Sequence, residues 1–342
     1  MARQSLQNEA PPSPETAAAR IPLPVRVKAW WQGYDARDLW ARLKAEYEDT
    51  EDSDSTPIAT PAANPAAPEP GEPEQPAPAW NATRVEIAQY VWGKGFCGPG
   101  GPEYVIGLSK LLALSPKMSV LILGAALGGP ARILAENFGA WITGYEASPE
   151  LVEEGNKLSE AAGMTKKVQL VPYDFENPQP LDRQYDRVFS KEALFTVKNK
   201  LGLLKTLNAG IKPDSLVLIT DYVVAEDSDL NGPEIDDWRQ AESRPIHLVT
   251  AEQLTDWAKE AGFGVRVSED ISDHYVHLIA DSWSQADRHA ATLMTQGDDG
   301  PGQVETLLHE AEFWARRSNL LSSGKLRLWR IVAHKGTASI IK

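Results

Sequence analysis

From residue 118 onward, short apolar runs alternate with amphipathic stretches. MSVLIL (118–123), AWITGYE (140–146), VQLVPYD (168–174), YDRVFSK (185–191) and SLVLITDYVV (215–224) are β-branched or aromatic-rich and of strand length. Before and between them, PEYVIGLSKLLAL, PARILAENF, SPELVEEGNKLSEAA and NKLGLLKTLNAGI carry apolar residues at helical spacing. Ser148-Pro149-Glu150 marks a helix start: a capping hydroxyl, a proline in the first turn, then an acid. TAEQLTDWAKEAGF adds a further helix, and VRVSEDI and LRLWRIVAHK read as two closing strands. A long, mostly helical insertion at about 272–323 separates those two strands. The pattern predicts an α/β fold: a doubly wound, mostly parallel, seven-strand-type sheet with helices on both faces.

Upstream the pattern changes twice. Residues 1–20 are polar and proline-bearing, a composition that favours disorder. Residues 21–47 contain an amphipathic segment: Val27, Trp30, Trp31 and Tyr34 recur at helical spacing, as do Leu39, Trp40, Leu43 and Tyr47. Gly33 leaves open whether this is one helix or two short ones. Residues 48–79 are rich in Pro, Ala and acid and hold no Lys or Arg, so they read as an extended, self-repelling linker. The globular domain is therefore expected over 80–342.

The chain of 342 residues has a formal net charge of −14, which argues against a nucleic-acid partner. One cysteine, Cys97, precludes an intrachain disulfide and suits a reducing compartment. The first 20 residues lack the apolar core of a signal peptide, and the longest apolar run, around Val120, is broken by glycines and a proline. A cytoplasmic protein is expected, with peripheral attachment at the inner face of a membrane as an option. That option comes from residues 25–47, which set Arg26, Lys28, Arg37, Arg42 and Lys44 beside Trp30, Trp31 and Trp40. Such a segment suits a bilayer interface. It equally suits a groove on a partner protein, on a second copy of the chain or on its own domain.

The chemistry is concentrated where the first strand turns into a helix, at Gly124-Ala125-Ala126-Leu127-Gly128-Gly129. Glycine admits positive φ and close approach of a ligand to the backbone. In a doubly wound sheet, ligands bind beyond the carboxyl ends of the strands. The next strand ends in Glu146, an acid placed to accept hydrogen bonds from a ribose diol. A dinucleotide site would want G-x-G-x-x-G, and Ala126 stands where its middle glycine would be, which disfavours a dehydrogenase.

The glycine turn instead resembles the first motif of class I (Rossmann-like) methyltransferases that use S-adenosyl-L-methionine (SAM). The resemblance extends over roughly residues 85–335. It implies that Gly124, Ala126 and Gly128 receive the cofactor's amino-acid tail and that Glu146 holds its ribose. VPYDFEN is similar to the stretch that flanks the adenine, implying Asp174 near the exocyclic amine and Phe175 on the ring face. YDRVFSKEALFTVKNK resembles the fourth motif, at the sulfonium end, which places Ser190 by the cofactor and Lys191 and Glu192 by the reacting atoms. YVWGKGFCGPGG (90–101) resembles the loop that closes over cofactor and acceptor in small-molecule and lipid-headgroup methyltransferases, such as the phosphoethanolamine and glycine/sarcosine types. That implies Tyr90 at the chemistry, Gly101 by the cofactor, and Trp92 and Phe96 against the acceptor. His274 and Tyr275 in the late insertion, with Trp283 beyond them, are further acceptor-side candidates by location. Cys97 reads as a small packed residue rather than a nucleophile.

The chain departs from the family pattern in three places: Ile122 replaces an acid, Ala126 a glycine, and Phe195-Thr196 stand where a histidine is common. Without that histidine, Glu192 is left to orient an amine or take a proton, or merely to cap the following helix. No histidine spacing suggests a metal. The expected function is methyl transfer from SAM to a small-molecule or lipid-like acceptor. The alternative is a catalytically weak or inactive scaffold of the same fold that recruits partners through its N-terminal segment.

Overall fold

The strand-length runs form β1 (Ser119–Leu123), β2 (Trp141–Glu146), β3 (Val168–Pro172), β4 (Tyr185–Lys191) and β5 (Ile211–Val224) in a computed structural model. The described residues are 80–226, 230, 232–295 and 300–336, with the side chains of 287 and 294 excepted. The expected segments at 1–20, 21–47 and 48–79 lie outside them. Helix α1 (Ala82–Trp92) and α2 (Pro102–Ser109) precede the sheet. Then α3 (Gly129–Phe138) links β1 to β2, α4 (Pro149–Ala161) links β2 to β3, and α5 (Lys200–Gly210) leads into β5. After β5 come α6 (Pro233–Ala241), α7 (Ala251–Glu260) and β6 (Phe263–Asp270). The late insertion forms α8 (Ser272–Trp283), α9 (Ala286–Met294) and α10 (Gly300–Ser322), and β7 (Leu326–Lys335) closes the sheet.

The sheet order is β3-β2-β1-β4-β5-β7-β6. The first five strands are parallel, and β7 runs antiparallel to both β5 and β6. Helical crossovers force the parallel pairs, since a short turn cannot return a strand to the same end. In β1, Val120 to Leu123 are buried, as a central strand covered on both faces requires. On one face Leu203, Leu204 and Leu207 of α5 and Leu254 of α7 pack against β4 and β5. Each such leucine contributes about 2 kcal/mol by leaving water.

Two boundaries differ from the periodicity. PEYVIGLSKLLAL stops being α-helical at Ser109, tightens into a 3₁₀ turn over Lys110–Leu112 and ends on Ala113 in the left-handed region (φ 47°). The third strand ends at Pro172 rather than at 174, because Asp174 closes a side-chain turn onto Glu176 and Asn177. The predicted start at Ser148 holds: its hydroxyl accepts from the Leu151 amide at 3.4 Å. The strand order reverses direction at β1, which has β2 on one side and β4 on the other. The crevice at their carboxyl ends is where such sheets take ligands.

Candidate active site

A cavity of about 210 Å³ opens at that crevice. Its floor is the glycine turn. Gly124 has φ 66° and Ala126 φ 47°. A Cβ on Gly124 would lie 2.5 Å from the Ala193 Cβ, so only glycine fits there. Glu146 is buried beside the turn. Its Oε2 accepts from the Ala126 amide (2.8 Å), while Oε1 accepts from the amides of Ala147 (2.8 Å) and Ser148 (3.0 Å). Three backbone donors fix this carboxylate at the cavity wall, with Arg244 at 3.7 Å.

A second cavity of about 510 Å³ adjoins the first, sharing Phe175, Thr196 and Arg244 with it. Asp174 lies here, exposed. It accepts from the amides of Glu176 (2.9 Å) and Asn177 (3.3 Å) and from Asn177 Nδ2 (2.8 Å). The side-chain bond from Asn177 leads the interactions that hold its carboxyl below the usual range. The Phe175 ring stands edge-on to Tyr173 at 5.3 Å, and Tyr173 stacks on Tyr145 at 4.3 Å. Of these rings Phe175 lines both cavities, with Tyr173 and Tyr145 packed behind it.

At the far end, β4 delivers Lys191 and Glu192. Glu192 holds a left-handed backbone (φ 46°), and its amide donates to the Thr220 carbonyl at 2.7 Å. Its Oε1 accepts from Thr220 Oγ1 (2.8 Å). Its Oε2 accepts from Lys191 Nζ (2.5 Å) and Tyr275 Oη (3.0 Å). Tyr275 Oη in turn lies 3.2 Å from Tyr222 Oη. Burial pushes both phenols well above their ordinary range, so both stay protonated. Strained backbone at a buried, fully ligated carboxylate is characteristic of a reacting site. Glu192 does not cap the following helix; Asn199 does, accepting from the Gly202 amide at 2.9 Å.

Residues 103–267 match the family model described as "Methyltransferase domain". That match covers just under half of the chain. The chain is 26% identical over 189 residues to phosphoethanolamine N-methyltransferase 3 of Arabidopsis thaliana, covering 55% of this chain and 37% of the relative. It is 24% identical over 198 residues to phosphoethanolamine N-methyltransferase of Plasmodium falciparum, covering 57% of this chain and 72% of the relative. Among solved structures it resembles Haemonchus contortus phosphoethanolamine N-methyltransferase 2 in complex with phosphomonomethylethanolamine and S-adenosylhomocysteine (SAH). There the TM-score is 0.65 at 18% identity, over 74% of this chain and 57% of that one. At that identity the likeness shows the fold, that of the class I methyltransferases. The chain thus spans little more than a third of the Arabidopsis relative. The scaffold alternative finds no support in these relatives.

Within the matched segment and its flanking helices, Gly124, Ala126, Glu146, Phe175, Lys191, Glu192, Phe96 and Tyr275 all line the first cavity. Apart from Asp174 in the second cavity, the other expected site residues lie elsewhere. Tyr90 is exposed on the other side of α1, edge-on to His289 at 4.6 Å. Trp92 is packed between Trp314 (4.7 Å) and Trp283 (6.0 Å), which makes it and Trp283 core of the helical roof. Gly101 is spent on the backbone turn that starts α2 before Pro102, and Gly98 lines the cavity in its place. Gly128, at φ 73°, caps α3, and a Cβ there would meet Arg132 and Leu170. Ser190 is buried within β4, its hydroxyl off the cavity and without a hydrogen-bond partner among the described residues. His274 is exposed against Tyr104 at 5.6 Å, because one residue along a helix turns the side chain about 100° from Tyr275.

Cys97 lines the cavity, but burial pushes its thiol far up, so it is no thiolate. Ile122 also lines it. Among the described residues no cluster of His, Cys, Asp or Glu is arranged to hold a metal ion, and no helix is long and apolar enough to cross a membrane.

Several lining residues escaped the sequence reading. Glu310, Phe313, Trp314 and Arg317 all come from α10, and Arg84 comes from α1. Arg84 Nε donates to Glu310 Oε1 at 2.6 Å, both side chains almost wholly buried. Arg317 Nε donates to Glu242 Oε1 at 3.0 Å, and its Nη2 bonds to the same oxygen. The signal for α10 was present: Glu310, Phe313, Trp314, Arg317 and Leu321 are spaced by three and four, which puts two charges on an apolar stripe. Buried charges need partners. Glu242 and Arg244 sit after α6 with no pattern to mark them.

Proposed function

We propose that the chain is a SAM-dependent methyltransferase acting on a small-molecule acceptor. The observation that carries this is Glu146, a buried carboxylate pinned by three backbone amides between the glycine turn and the Phe175 wall. The donor set fits SAM: a positive-φ backbone turn at Gly124 and Ala126 lining the cavity, a carboxylate for vicinal hydroxyls, and the Phe175 ring for a purine. When bound, SAM supplies an electrophilic methyl carbon on a positively charged sulfur.

This chain's own residues would do the rest. Gly124 and Ala126 would bind the amino-acid portion, Glu146 the ribose and Phe175 the adenine face. Phe96, beside the glycine turn, and Phe195 and Trp314 would exclude water from the cavity, which removes the competing solvent and strengthens charge interactions there. The residues of this chain would align the acceptor atom with that methyl carbon and take up the one proton the acceptor loses. Glu192 would receive that proton. Lys191, Thr220 and Tyr275 hold its carboxylate still, at the mouth of β4. Most of the rate enhancement in such a site comes from alignment.

The test is to incubate the full chain with SAM and a broad acceptor panel and to quantify SAH and methylated product by mass spectrometry. Acceptor-dependent SAH is expected. Glu192→Gln should lower its rate by about 100-fold, the range of general-base catalysis. No SAH above background with any acceptor would reject the reading.

A further inference from the structure

Among the described residues four cationic side chains line the cavity: Lys191, Arg84 and Arg317 are each buried against a carboxylate, and Arg244, 40% exposed, lies 3.7 Å from Glu146. Lys191 pairs with Glu192 at 2.5 Å, Arg84 with Glu310 at 2.6 Å, and Arg317 with Glu242 through two of its nitrogens. These pairs are not surface contacts; the side chains are 3–11% exposed. Arg317 is committed further. Its guanidinium carbon lies 4.5 Å from the ring centre of Phe313, 4.8 Å from Trp314, 5.2 Å from Tyr222 and 5.4 Å from Phe195. Its charge goes to Glu242 and its faces go to rings. Glu242 is itself held by Trp238 Nε1 at 2.6 Å.

The space between these pairs is walled by Phe195, Tyr222, Tyr275, Phe313 and Trp314. A permanent anion placed there would meet cations already neutralised and three carboxylates at close range. Among these four cations only Arg244, beside Glu146, is not buried in an ion pair, so the anion would lose its hydration for little counter-charge. A permanent cation would meet carboxylates already satisfied. An uncharged body gains from burying apolar surface and from ring contacts.

We infer that the acceptor of this site is an uncharged molecule with an apolar ring or hydrocarbon body. The Arg317–Glu242 pair would exclude phosphate-bearing acceptors. The inference rests on the methyl-transfer reading and separates this chain from the phosphoethanolamine enzymes it resembles. Arg317 and Glu242 are then specificity determinants: they set which acceptor enters and leave the transferred group unchanged.

The experiment is calorimetric titration of acceptors into the full chain saturated with SAH. Phosphoethanolamine is the charged probe, and a series of uncharged phenols and long-chain alcohols, headed by 2-naphthol, is the other arm. At least one uncharged probe is expected to bind tenfold or more tighter than phosphoethanolamine. Equal or tighter binding of phosphoethanolamine overturns the inference, and so does a failure of every uncharged probe while SAH binds. Failure of SAH itself to bind would instead remove the methyl-transfer reading beneath it. Glu242→Gln, which releases Arg317 from its carboxylate, should strengthen phosphoethanolamine binding about tenfold. A folded, SAH-binding Glu242→Gln with no such gain would count against the pair as the selectivity element. If that variant does not fold, the unaltered chain still decides.

Discussion

At the scale of single residues, three positions carry distinct expectations. Gly124 sits at φ 66°, and a methyl group on its Cα would come within 2.5 Å of the Ala193 Cβ. Gly124→Ala should therefore cost about 2 kcal/mol from left-handed strain and crowding, read by urea denaturation. A neutral result would mean the turn relaxes freely. Tyr275→Phe removes one of the three donors on Glu192, so kcat should fall while SAM affinity holds; an equal loss in both would place Tyr275 in cofactor binding instead. Asp221 is fully buried on β5, with one oxygen accepting from the Tyr222 amide at 2.9 Å and the other without a partner among the described residues. Burial lifts its carboxyl to about 7, against the opposing pull of the Lys200 ammonium. The folded value thus lies above the unfolded one of about 3.9. Its contribution to stability is whole below about pH 4 and is lost as pH rises through about 7. Asp221→Asn removes that titration. The melting-temperature gap between variant and parent should shift toward the variant from pH 4 to pH 7 and then level off. A gap that does not change with pH contradicts this assignment.

At the scale of elements, the strands and crossover helices were legible because each is a local pattern. Period-two and period-3.6 apolar spacing fixes an element without reference to anything distant. The glycine turn at Gly124 and the strand-end Glu146 followed from the topology, while Glu192 came from the resemblance of YDRVFSKEALFTVKNK to the fourth motif. The roof was less legible. Tyr90, Trp92 and His274 face away from the cavity because helix rotation, not residue type, decides which side chain points inward. Arg317 was missed because its partner lies 75 residues away, on the segment after α6. The roof gives an element-scale prediction. Arg84→Met leaves Glu310 buried without its charge partner, which should cost about 3–5 kcal/mol. Adding Glu310→Met should recover most of that loss, since paired removal leaves no orphan charge. Denaturation of the two variants checks it; equal destabilisation by both would show that packing, not charge, holds α1 to α10.

At the scale of the whole molecule, the net charge of −14 and the neutral acceptor end of the cavity point the same way. The candidate chemistry is gathered where the strand order reverses at β1. The proposed chemistry depends on this crevice binding SAM. The most direct measurement is calorimetric titration of SAM and SAH into the full chain, with Glu146→Gln alongside. The account predicts single-site binding of both, weakened about 30-fold or more in the variant, the loss expected for a charged hydrogen-bond acceptor. No binding of either ligand, or binding indifferent to Glu146→Gln, would contradict it.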